Sequence, residues 1–264
     1  MTDLTFERIA NFRDVGGHAT ADGHRVRTGL LYRCGHLADA TDADVEVLEQ
    51  LGVGVVVDLR RDVERGVEGE SRVPRGAKVV YLPMGDVRAG PDIRELLGSG
   101  DIERIKEAFP PGAAREMMLR GSRAFVVDEA HTTQYATFVR TLVEADGTPL
   151  VVHCSAGKDR TGWATALVLL ALGVPEDVVV ADYLRSNEAL ALRMANVSRS
   201  AASGLDPGLL EPLVLVHLDY ISTSLAALEE YWGGIDGYLA GGLGVDATLR
   251  AQLRSVFLEP APTA

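Results

Sequence analysis

The stretch that decides the fold is Val151-Val-His-Cys-Ser-Ala-Gly-Lys-Asp-Arg-Thr-Gly162. Leu150 to Val152 is apolar and mostly β-branched, which is typical of a short buried strand. A helix is predicted from about Thr161 to Leu172, with Gly173 and Pro175 as stop signals. A loop between a strand and a helix can turn several backbone N–H groups toward one point, and the helix dipole adds positive potential there. The stretch therefore predicts a strand, an anion-binding loop and a helix, in that order.

Several side chains of this loop fit a nucleophilic site that binds an anion. The N–H donors favour the thiolate of Cys154 and so activate it as a nucleophile. Arg160 closes the loop with a planar fork that matches two phosphate oxygens. Gly157 allows a close backbone approach, Thr161 offers a hydroxyl to the sulfur, and we expect His153 to order the loop rather than to act as a base. The expected phosphate-binding residues are Ser155, Ala156, Gly157, Lys158, Asp159 and Arg160.

A second interpretation of Cys154 is an inert buried cysteine, which is the commoner case for a lone cysteine after a strand. Here the cysteine, glycine, arginine and hydroxyl all fall at the spacings that a phosphate loop needs. The pattern therefore favours the nucleophile.

Other apolar runs extend the alternation of strands and helices. Val53 to Leu59 is rich in valine and predicts a buried parallel strand, and Val79 to Leu82 predicts the next one. Helices are predicted from Asp42 to Leu51, capped by Thr41, and from Thr132 to Glu144. The pattern indicates an α/β fold with a central, mostly parallel sheet flanked by helices and a helical C-terminal part. The remaining predicted elements are strands near Arg25–Arg27 and Leu30–Arg33 and helices at Glu176–Leu184, Leu209–Tyr220, Ser224–Tyr231 and Ala247–Val256.

Residues 87–146 form a long connection with weaker patterning. Short helices are predicted at Ile93–Leu97 and Ile102–Phe109, with breaks at Gly98-Ser-Gly100 and Pro110-Pro-Gly112. A connection of this length between strands is usually functional or a lid. We therefore expect one domain over residues 1–264, with an inserted helical lid at 87–146.

Composition excludes some partners and favours others. The 264 residues carry 38 acidic and 26 basic side chains, a formal charge of −12, and this argues against nucleic-acid binding, which needs a basic footprint. An anionic substrate remains compatible, because a local field in a cleft can oppose the net charge. The most apolar stretch, Ala164 to Val174, is too short to span a bilayer, so no stable membrane insertion is expected.

Cysteine and histidine usage bears on compartment and metals. Two cysteines, Cys34 and Cys154, are too few for a disulfide scaffold and indicate a reducing compartment. The N-terminus has no apolar run typical of a signal peptide, so a cytoplasmic location is expected, with unconventional export left open. The six histidines show no metal-ligand spacing, and neither a metal nor another cofactor is expected. The oligomeric state is left open.

The loop resembles that of the protein tyrosine phosphatase superfamily, which is His-Cys, five residues, Arg, and Ser or Thr. The resemblance narrows to the bacterial group of tyrosine and lipid phosphatases typified by mycobacterial protein tyrosine phosphatase B. Motifs spread from residue 11 to residue 187 support it, with a less specific match in the tail. They are Asn11-Phe-Arg-Asp-Val-Gly-Gly17, Leu31-Tyr-Arg33, Asp58-Leu-Arg60, His153 to Gly162, Ala181-Asp-Tyr-Leu-Arg-Ser-Asn187 and Gly237-Tyr-Leu239.

This resemblance implies a cysteine-phosphatase fold and a cysteinyl-phosphate intermediate formed without metal. The implied substrate is phosphotyrosine in a phosphorylated protein, and in some members phosphoserine, phosphothreonine or phosphoinositides. A helical lid covers the site in the group, but residues 87–146 match the group poorly, so no lid residue is carried over. Cys34 stands where the group usually has serine, and the sequence gives it no role.

Two carboxylates compete for the role of general acid. Asp86 follows Tyr81-Leu-Pro-Met-Gly85 at a strand end, where related dual-specificity phosphatases place a mobile acid. Asp159 lies in the loop beside Arg160, a position that the narrower resemblance also marks. We favour Asp86 as the acid and Asp159 as an auxiliary residue that orders the loop.

Other polar residues receive supporting roles. Lys158 occupies a position where superfamily members that act on inositol lipids also carry lysine, and it is either a point charge near a second phosphate or a solvated lysine. Asp58 and Arg60 are expected to form a structural ion pair. We expect two further groups to brace the loop and its helix, namely Asn11, Arg13 and Asp14, and Asp182, Tyr183, Arg185, Ser186 and Asn187.

Two other function classes compete with a phosphatase. A catalytically silent phosphate-binding module would be expected to lack Cys154 or Arg160, and both are present. A sulfurtransferase also uses a cysteine loop with arginine between a strand and a helix, but it leaves the flanking motifs unexplained. Thiosulfate activity would identify it.

Overall fold

A five-stranded sheet forms the centre of the computed structural model, which describes residues 5–85, 101–191 and 207–261. In spatial order its strands are β1 (Arg13–Asp14), β3 (Leu31–Cys34), β6 (Leu150–His153), β4 (Val55–Asp58) and β5 (Lys78–Tyr81), and a separate ribbon pairs β2 (His24–Val26) with β7 (Leu258–Pro260). Strands β3, β6, β4 and β5 run parallel, and β1 pairs antiparallel with β3. The predicted α/β fold with a mostly parallel sheet is confirmed.

The register of the sheet places the end of β6 between two neighbours. His153 pairs with Cys34 on one side and with Asp58 on the other. Since the strands are parallel, the chain leaves all three at the same edge of the sheet. The segment that starts at Cys154 therefore emerges at the centre of this edge, between the segments that follow β3 and β4.

Helices cover both faces of the sheet. The helix Asp42–Gln50 begins with the predicted cap, because the Thr41 side chain accepts from the Asp44 N–H while the Asp44 side chain accepts from the Thr41 N–H. The helices are α1 (Asp42–Gln50), α2 (Asp62–Glu68), α3 (Ile102–Ala108), α4 (Ala113–Val127), α5 (Glu129–Glu144), α6 (Asp159–Leu172), α7 (Glu176–Leu184), α8 (Pro207–Val214), α9 (Leu218–Trp232), α10 (Ile235–Gly237) and α11 (Ala247–Phe257).

Two hydrophobic clusters lie on opposite faces of the sheet. The larger one includes Val152 of β6 together with α5 and α6, whereas the smaller one includes Val151 and the neighbouring Cys34. Side chains along a strand alternate between faces, so Cys34 and Cys154 belong to different clusters. Burial, and then the nearby Cys154, raise the pKa of the Cys34 thiol. Cys34 is therefore a protonated core residue on the far side of the sheet.

Several predicted boundaries differ from the observed ones. Helices α2 and α4 were not predicted. In place of the predicted helices Leu209–Tyr220 and Ser224–Tyr231, the structure has α8 and α9, and the chain between them breaks at residues 215–217. Hydrogen bonds from side chains that are distant in sequence hold the backbone of Leu215 and Val216 at this break. The predicted helix Ile93–Leu97 lies outside the described residues.

The proposed lid region, 87–146, is described from residue 101 onward. Helix α3 and the start of α4 pack with α8 in a small separate cluster of Ile105, Phe109, Ala114 and Leu210. Helix α5 instead buries Tyr135, Phe138, Val139 and Leu142 completely in the main core. Within the described part of the region, α3 is thus the element most separate from the main core.

Among the described residues, no single helix combines the length and apolar character that a bilayer span needs. Residues 208–214 and 218–232 meet that criterion only as a pair, and the pair is bent by 52°.

Candidate active site

The loop that follows β6 starts with Cys154 and leads directly into α6. Cys154 is buried, with 2% of its surface exposed. Gly157 has a φ of +68°, and a Cβ at this position would lie 2.1 Å from the carbonyl oxygen of Cys34. Only glycine fits here, because the loop both takes a left-handed turn and presses against the end of β3.

Scaffold donors hold the carbonyl groups of this loop. The Ser155 carbonyl accepts from the His36 N–H at 2.9 Å. The Gly157 carbonyl accepts from the Asn11 amide at 2.8 Å and from the Arg33 guanidinium at 2.9 Å. Because the carbonyls face the scaffold, the N–H groups of the loop face the opposite side. No described residue accepts from the N–H groups of Ser155, Ala156 and Gly157. This is the arrangement of an anion cradle.

A buried charge network lies under the loop. Arg33 is fully buried, and burial lowers its pKa to about 9, which still leaves it charged at neutral pH. Its guanidinium lies 3.4 Å from Asp182, which also binds Arg13 at 3.2 Å. Burial alone would raise the pKa of Asp182, but Arg13 and Arg33 lower it overall. Asn11, whose Oδ1 accepts from Arg13 at 2.6 Å, connects this network to the loop.

The other residues expected to brace the loop and its helix contact different parts of the chain. Ser186 lies 3.3 Å from Arg13, and the Tyr183 ring packs so closely on α6 that a Cβ at Gly162 would approach it to 2.7 Å. Asn187 binds both the N–H and the carbonyl of Val216. Asp14 instead accepts from the N–H groups of two glycines, Gly16 in its own turn and Gly29 just before β3.

Arg160, in the first turn of α6, is held by a carboxylate that the sequence analysis did not identify. Its two terminal nitrogens donate to the two oxygens of Glu64, Nη1 at 2.5 Å and Nη2 at 2.8 Å. Nη1 also donates to the carbonyls of Leu59 and Met84. Burial alone would lower the pKa of Arg160, but the nearby Cys154 and Glu64 raise it overall. No described residue accepts from its Nε, so the Nε and Nη2 edge remains for an anion.

A second carboxylate of helix α2 contacts the opposite end of the loop. Glu68 accepts a hydrogen bond from the hydroxyl of Ser155, and its other oxygen lies 3.2 Å from Arg60. Arg60 and Asp58 form the expected buried ion pair at 2.7 Å. The hydroxyl of Ser155 is thus committed to the scaffold, and only its backbone N–H is available to a bound anion.

His153 is fully buried beneath the cysteine. Burial lowers its pKa, so the ring is neutral at physiological pH. Its Nδ1 lies 3.1 Å from the Cys154 carbonyl and donates to it, because a carbonyl only accepts. Nε2 then accepts from the hydroxyl of Ser71 at 3.2 Å. These contacts hold the start of the loop.

Lys158 is buried rather than solvated. Its ammonium donates to the carbonyl of Leu215 at 3.0 Å and lies 3.5 Å from Asp159 Oδ2. Oδ1 of Asp159 is buried without a hydrogen-bond partner among the described residues. Lys158 thus connects the loop to the chain between α8 and α9.

The outcome is different for Thr161, the predicted hydrogen-bond donor to the sulfur, and for Asp86, the favoured general acid. The Thr161 hydroxyl is buried and has no hydrogen-bond partner among the described residues, so the expected bond to Cys154 is not formed in this structure. Asp86 lies outside the described residues. The chain is described as far as Gly85, directly after Met84, whose carbonyl contacts Arg160.

The structure therefore brings Cys154, Arg160, His153 and the loop residues 155–159 together around one cradle. Glu64 and Glu68 are the site residues that sequence reasoning missed. The available signal was a run of charges right after a buried strand, with Asp62 and Glu64 in a first turn and Gly69 beyond the end. Within the described part of the chain, no cluster of three or more His, Cys, Asp or Glu side chains could hold a metal ion.

Comparison with known proteins identifies the family. Residues 4–259 match the family described as the tyrosine phosphatase family. The chain is 38% identical to a candidate tyrosine-protein phosphatase of Cupriavidus necator, over 97% of this chain and 88% of that protein. It is 32% identical to the triple specificity protein phosphatase PtpB of Mycobacterium tuberculosis, over 94% of this chain and 96% of that protein. The crystal structure of P. aeruginosa TpbA aligns with 80% of this chain and 96% of its own, at 17% identity and a TM-score of 0.36.

The family match covers nearly the whole chain, and both relatives share more than 30% of their residues with it over nearly the same length. This chain belongs to the tyrosine phosphatase family.

Proposed function

We propose that this protein hydrolyses phosphotyrosine through a cysteinyl-phosphate intermediate, with Cys154 as the nucleophile and Arg160 as the phosphate clamp. The observation that carries the proposal is the loop: Cys154 begins it, its carbonyls are bound to the scaffold, and three N–H groups have no acceptor among the described residues. The open edge of Arg160 supports the same assignment. Together these donors match the oxygens of a phosphate group.

In the first step the Cys154 thiolate attacks phosphorus. The S–P bond forms as the bond from phosphorus to the ester oxygen breaks, and a general acid protonates the departing oxygen. The loop N–H groups and Arg160 bind the three remaining oxygens, on which negative charge is concentrated. In this role the donors require no reorganisation, because the scaffold already holds them.

In the second step water attacks the cysteinyl phosphate. The carboxylate formed in the first step takes a proton from the water, the S–P bond breaks, and inorganic phosphate and the thiolate are released. No step requires a metal or a redox partner, and we expect turnover to persist in the presence of a chelator.

Asp86 is our choice for the general acid, with Asp159 as the alternative. The Met84 carbonyl contacts Arg160 at 3.1 Å, and Asp86 follows two residues later, within about 7 Å of chain. This supports Asp86. The 3.5 Å contact between Asp159 and Lys158 supports the loop-ordering role that we assign to Asp159.

Substrate preference follows from the depth of the site. Cys154 is only 2% exposed, so a phosphate must enter deeply, and a tyrosine ring holds it farther from the peptide backbone than a serine does. We therefore place phosphotyrosine first and phosphoserine and phosphothreonine second. Phosphoinositides come last, because the Lys158 ammonium, the point charge for a second phosphate, binds a carbonyl of its own chain.

The test compares the two cysteines. Cys154→Ser should abolish turnover of p-nitrophenyl phosphate, whereas Cys34→Ser, the same change at a buried cysteine on the other face of the sheet, should retain it. Arg160→Lys should also be severely impaired, since lysine lacks the bidentate fork, while Arg120→Lys at an exposed site is the control. Full activity of Cys154→Ser would refute the mechanism. Phosphotyrosine, phosphoserine and phosphoinositide substrates, each with Cys154→Ser as the blank, then rank the substrate classes.

A further inference from the structure

Helix α2 directs two carboxylates at the phosphate loop. Glu64 and Glu68 are four residues apart, so they share one face of the helix. Glu64 holds Arg160 at the end of the loop, and Glu68 accepts from the hydroxyl of Ser155, the residue after the nucleophile. Both side chains are nearly buried, with 4% and 9% exposed. One short helix therefore contacts both ends of the cradle.

The geometry at Arg160 determines which edge of the guanidinium faces an anion. A guanidinium offers two bidentate edges, the terminal pair Nη1 and Nη2 and the side pair Nε and Nη2. Glu64 occupies the terminal pair. The plane of the fork is then fixed, and the side pair is the edge left for phosphate.

We propose that Glu64 is a positioning residue for catalysis: it fixes the Arg160 fork in the plane that receives phosphate, while Glu68 fixes the start of the loop through Ser155. This inference rests on the proposed function, because it assigns Arg160 as the clamp.

The sign of the charge makes the proposal testable. A carboxylate beside an anion site repels the anion, so a Glu64 that acted only through its charge would weaken phosphate binding. Each carboxylate has a cationic partner that offsets this repulsion, Arg160 for Glu64 and Arg60 for Glu68. If Glu64 orients the fork, its neutralisation weakens phosphate binding. If Glu64 is only a negative charge, its neutralisation strengthens it.

The first experiment measures binding of inorganic phosphate by calorimetry in the Cys154→Ser background, with and without Glu64→Gln. We expect affinity to fall at least about tenfold, because a displaced fork loses at least one of its two charge-assisted hydrogen bonds to phosphate. Unchanged or tighter binding would overturn the proposal. Asp62→Asn removes one charge from the same helix at a side chain that is 83% exposed, and it should leave the affinity unchanged.

The second experiment is a double-mutant cycle on kcat/KM for p-nitrophenyl phosphate. Glu64→Gln should lower kcat/KM by about 10- to 100-fold in the parent enzyme and by less than about threefold in the Arg160→Lys background, because the fork is already lost there. Equal losses in both backgrounds would show a general structural effect and refute the positioning role. If Glu64→Gln does not fold, Glu64→Asp keeps the charge, withdraws it by one methylene and is expected to show the same pattern.

The two proposals fail in different ways. If Cys154→Ser retains full turnover, the proposed function is wrong whatever Glu64 does. If Cys154→Ser is inactive and Glu64→Gln binds phosphate like its parent, the function stands and the positioning role fails. The binding experiment needs no turnover, so it tests the positioning role of Glu64 independently of the proposed mechanism.

Discussion

Replacing Gly157 by alanine tests whether the shape of the loop is as constrained as the structure implies. Alanine at a φ of +68° costs about 1–2 kcal/mol. The new Cβ would also lie 2.1 Å from the Cys34 carbonyl, whereas real Cβ contacts are essentially never shorter than 3.0 Å, so the loop or the end of β3 has to move by about 1 Å. Overpacking of this kind costs about a further 1–3 kcal/mol. We expect Gly157→Ala to lower the free energy of unfolding by about 2–5 kcal/mol.

The same displacement should reduce activity strongly, because the Gly157 peptide lies in the cradle. A shift of about 1 Å in a positioned donor can cost 10²-fold in rate, and we expect kcat/KM for p-nitrophenyl phosphate to fall by at least that factor. Gly23→Ala is the matched control. Gly23 has a φ of +81°, and nothing lies within 4 Å of the position that the alanine methyl group would take, so this variant carries the backbone cost alone.

Urea denaturation and steady-state kinetics on the two variants separate these effects. Gly23→Ala should lose about 1–2 kcal/mol and keep its kcat/KM. If Gly157→Ala retains kcat/KM within about twofold and is no less stable than Gly23→Ala, the loop is more adaptable than its contact with β3 implies, and the reasoning fails.

Three further outcomes are expected. Asp86→Ala should lower kcat most for substrates with poor leaving groups and flatten the basic limb of the pH profile, and Asp159→Ala should do so less; the reverse order would place the acid inside the loop. Asp182→Asn should cost about 3–5 kcal/mol of unfolding free energy near neutral pH, because it leaves the buried Arg33 and the partly buried Arg13 without their carboxylate. The folded pKa of Asp182 is lowered, so this contribution is complete above its unfolded value of about 3.9 and is lost as the pH falls through the folded value; a difference in stability that does not narrow in strong acid would contradict it. Amides of α3 should exchange faster than those of β4 and slow when vanadate binds, as a lid would; equal protection, unchanged by vanadate, would make α3 fixed scaffold.

The sheet and the loop could be predicted because their signals are local. Val55 to Val57 and Leu150 to Val152 are apolar runs buried on both faces, and a strand of that kind can be predicted without knowing its neighbours. The loop was recognised from residues that lie within one stretch of sequence. Both features depend on short-range pattern, which sequence reasoning reads directly.

Helix α2 could not be predicted in the same way, because its apolar side chains face the solvent and its carboxylates face the protein interior. Val63 and Val67 are 48% and 64% exposed, while Glu64 is buried. Periodicity analysis assumes that apolar side chains face inward, and here the inward face carries the carboxylates that hold the loop. The function of the helix is the reason that its pattern misleads.

The break between α8 and α9 has a tertiary cause. Leu209 to Tyr220 reads as one helix, yet Lys158 binds the carbonyl of Leu215 and Asn187 binds both backbone groups of Val216. Side chains that are distant in sequence have taken the hydrogen bonds that a continuous helix would use. No local pattern contains that information.

The bond between Arg33 and the Gly157 carbonyl joins residues that are 124 positions apart, and the Asn11 bond to the same carbonyl spans 146. Contacts of such long range form late in folding, because the chain entropy lost in closing them is recovered only when most of the fold is in place. A refolding chain can thus pair β3, β4, β5 and β6 and form its α6 helix while the Asn11 bond, which needs the N-terminal segment in place, is still unmade. Recovery of enzymatic activity should then lag behind recovery of far-ultraviolet circular dichroism, and the docking of the N-terminal strand onto the sheet would be the event that switches the enzyme on.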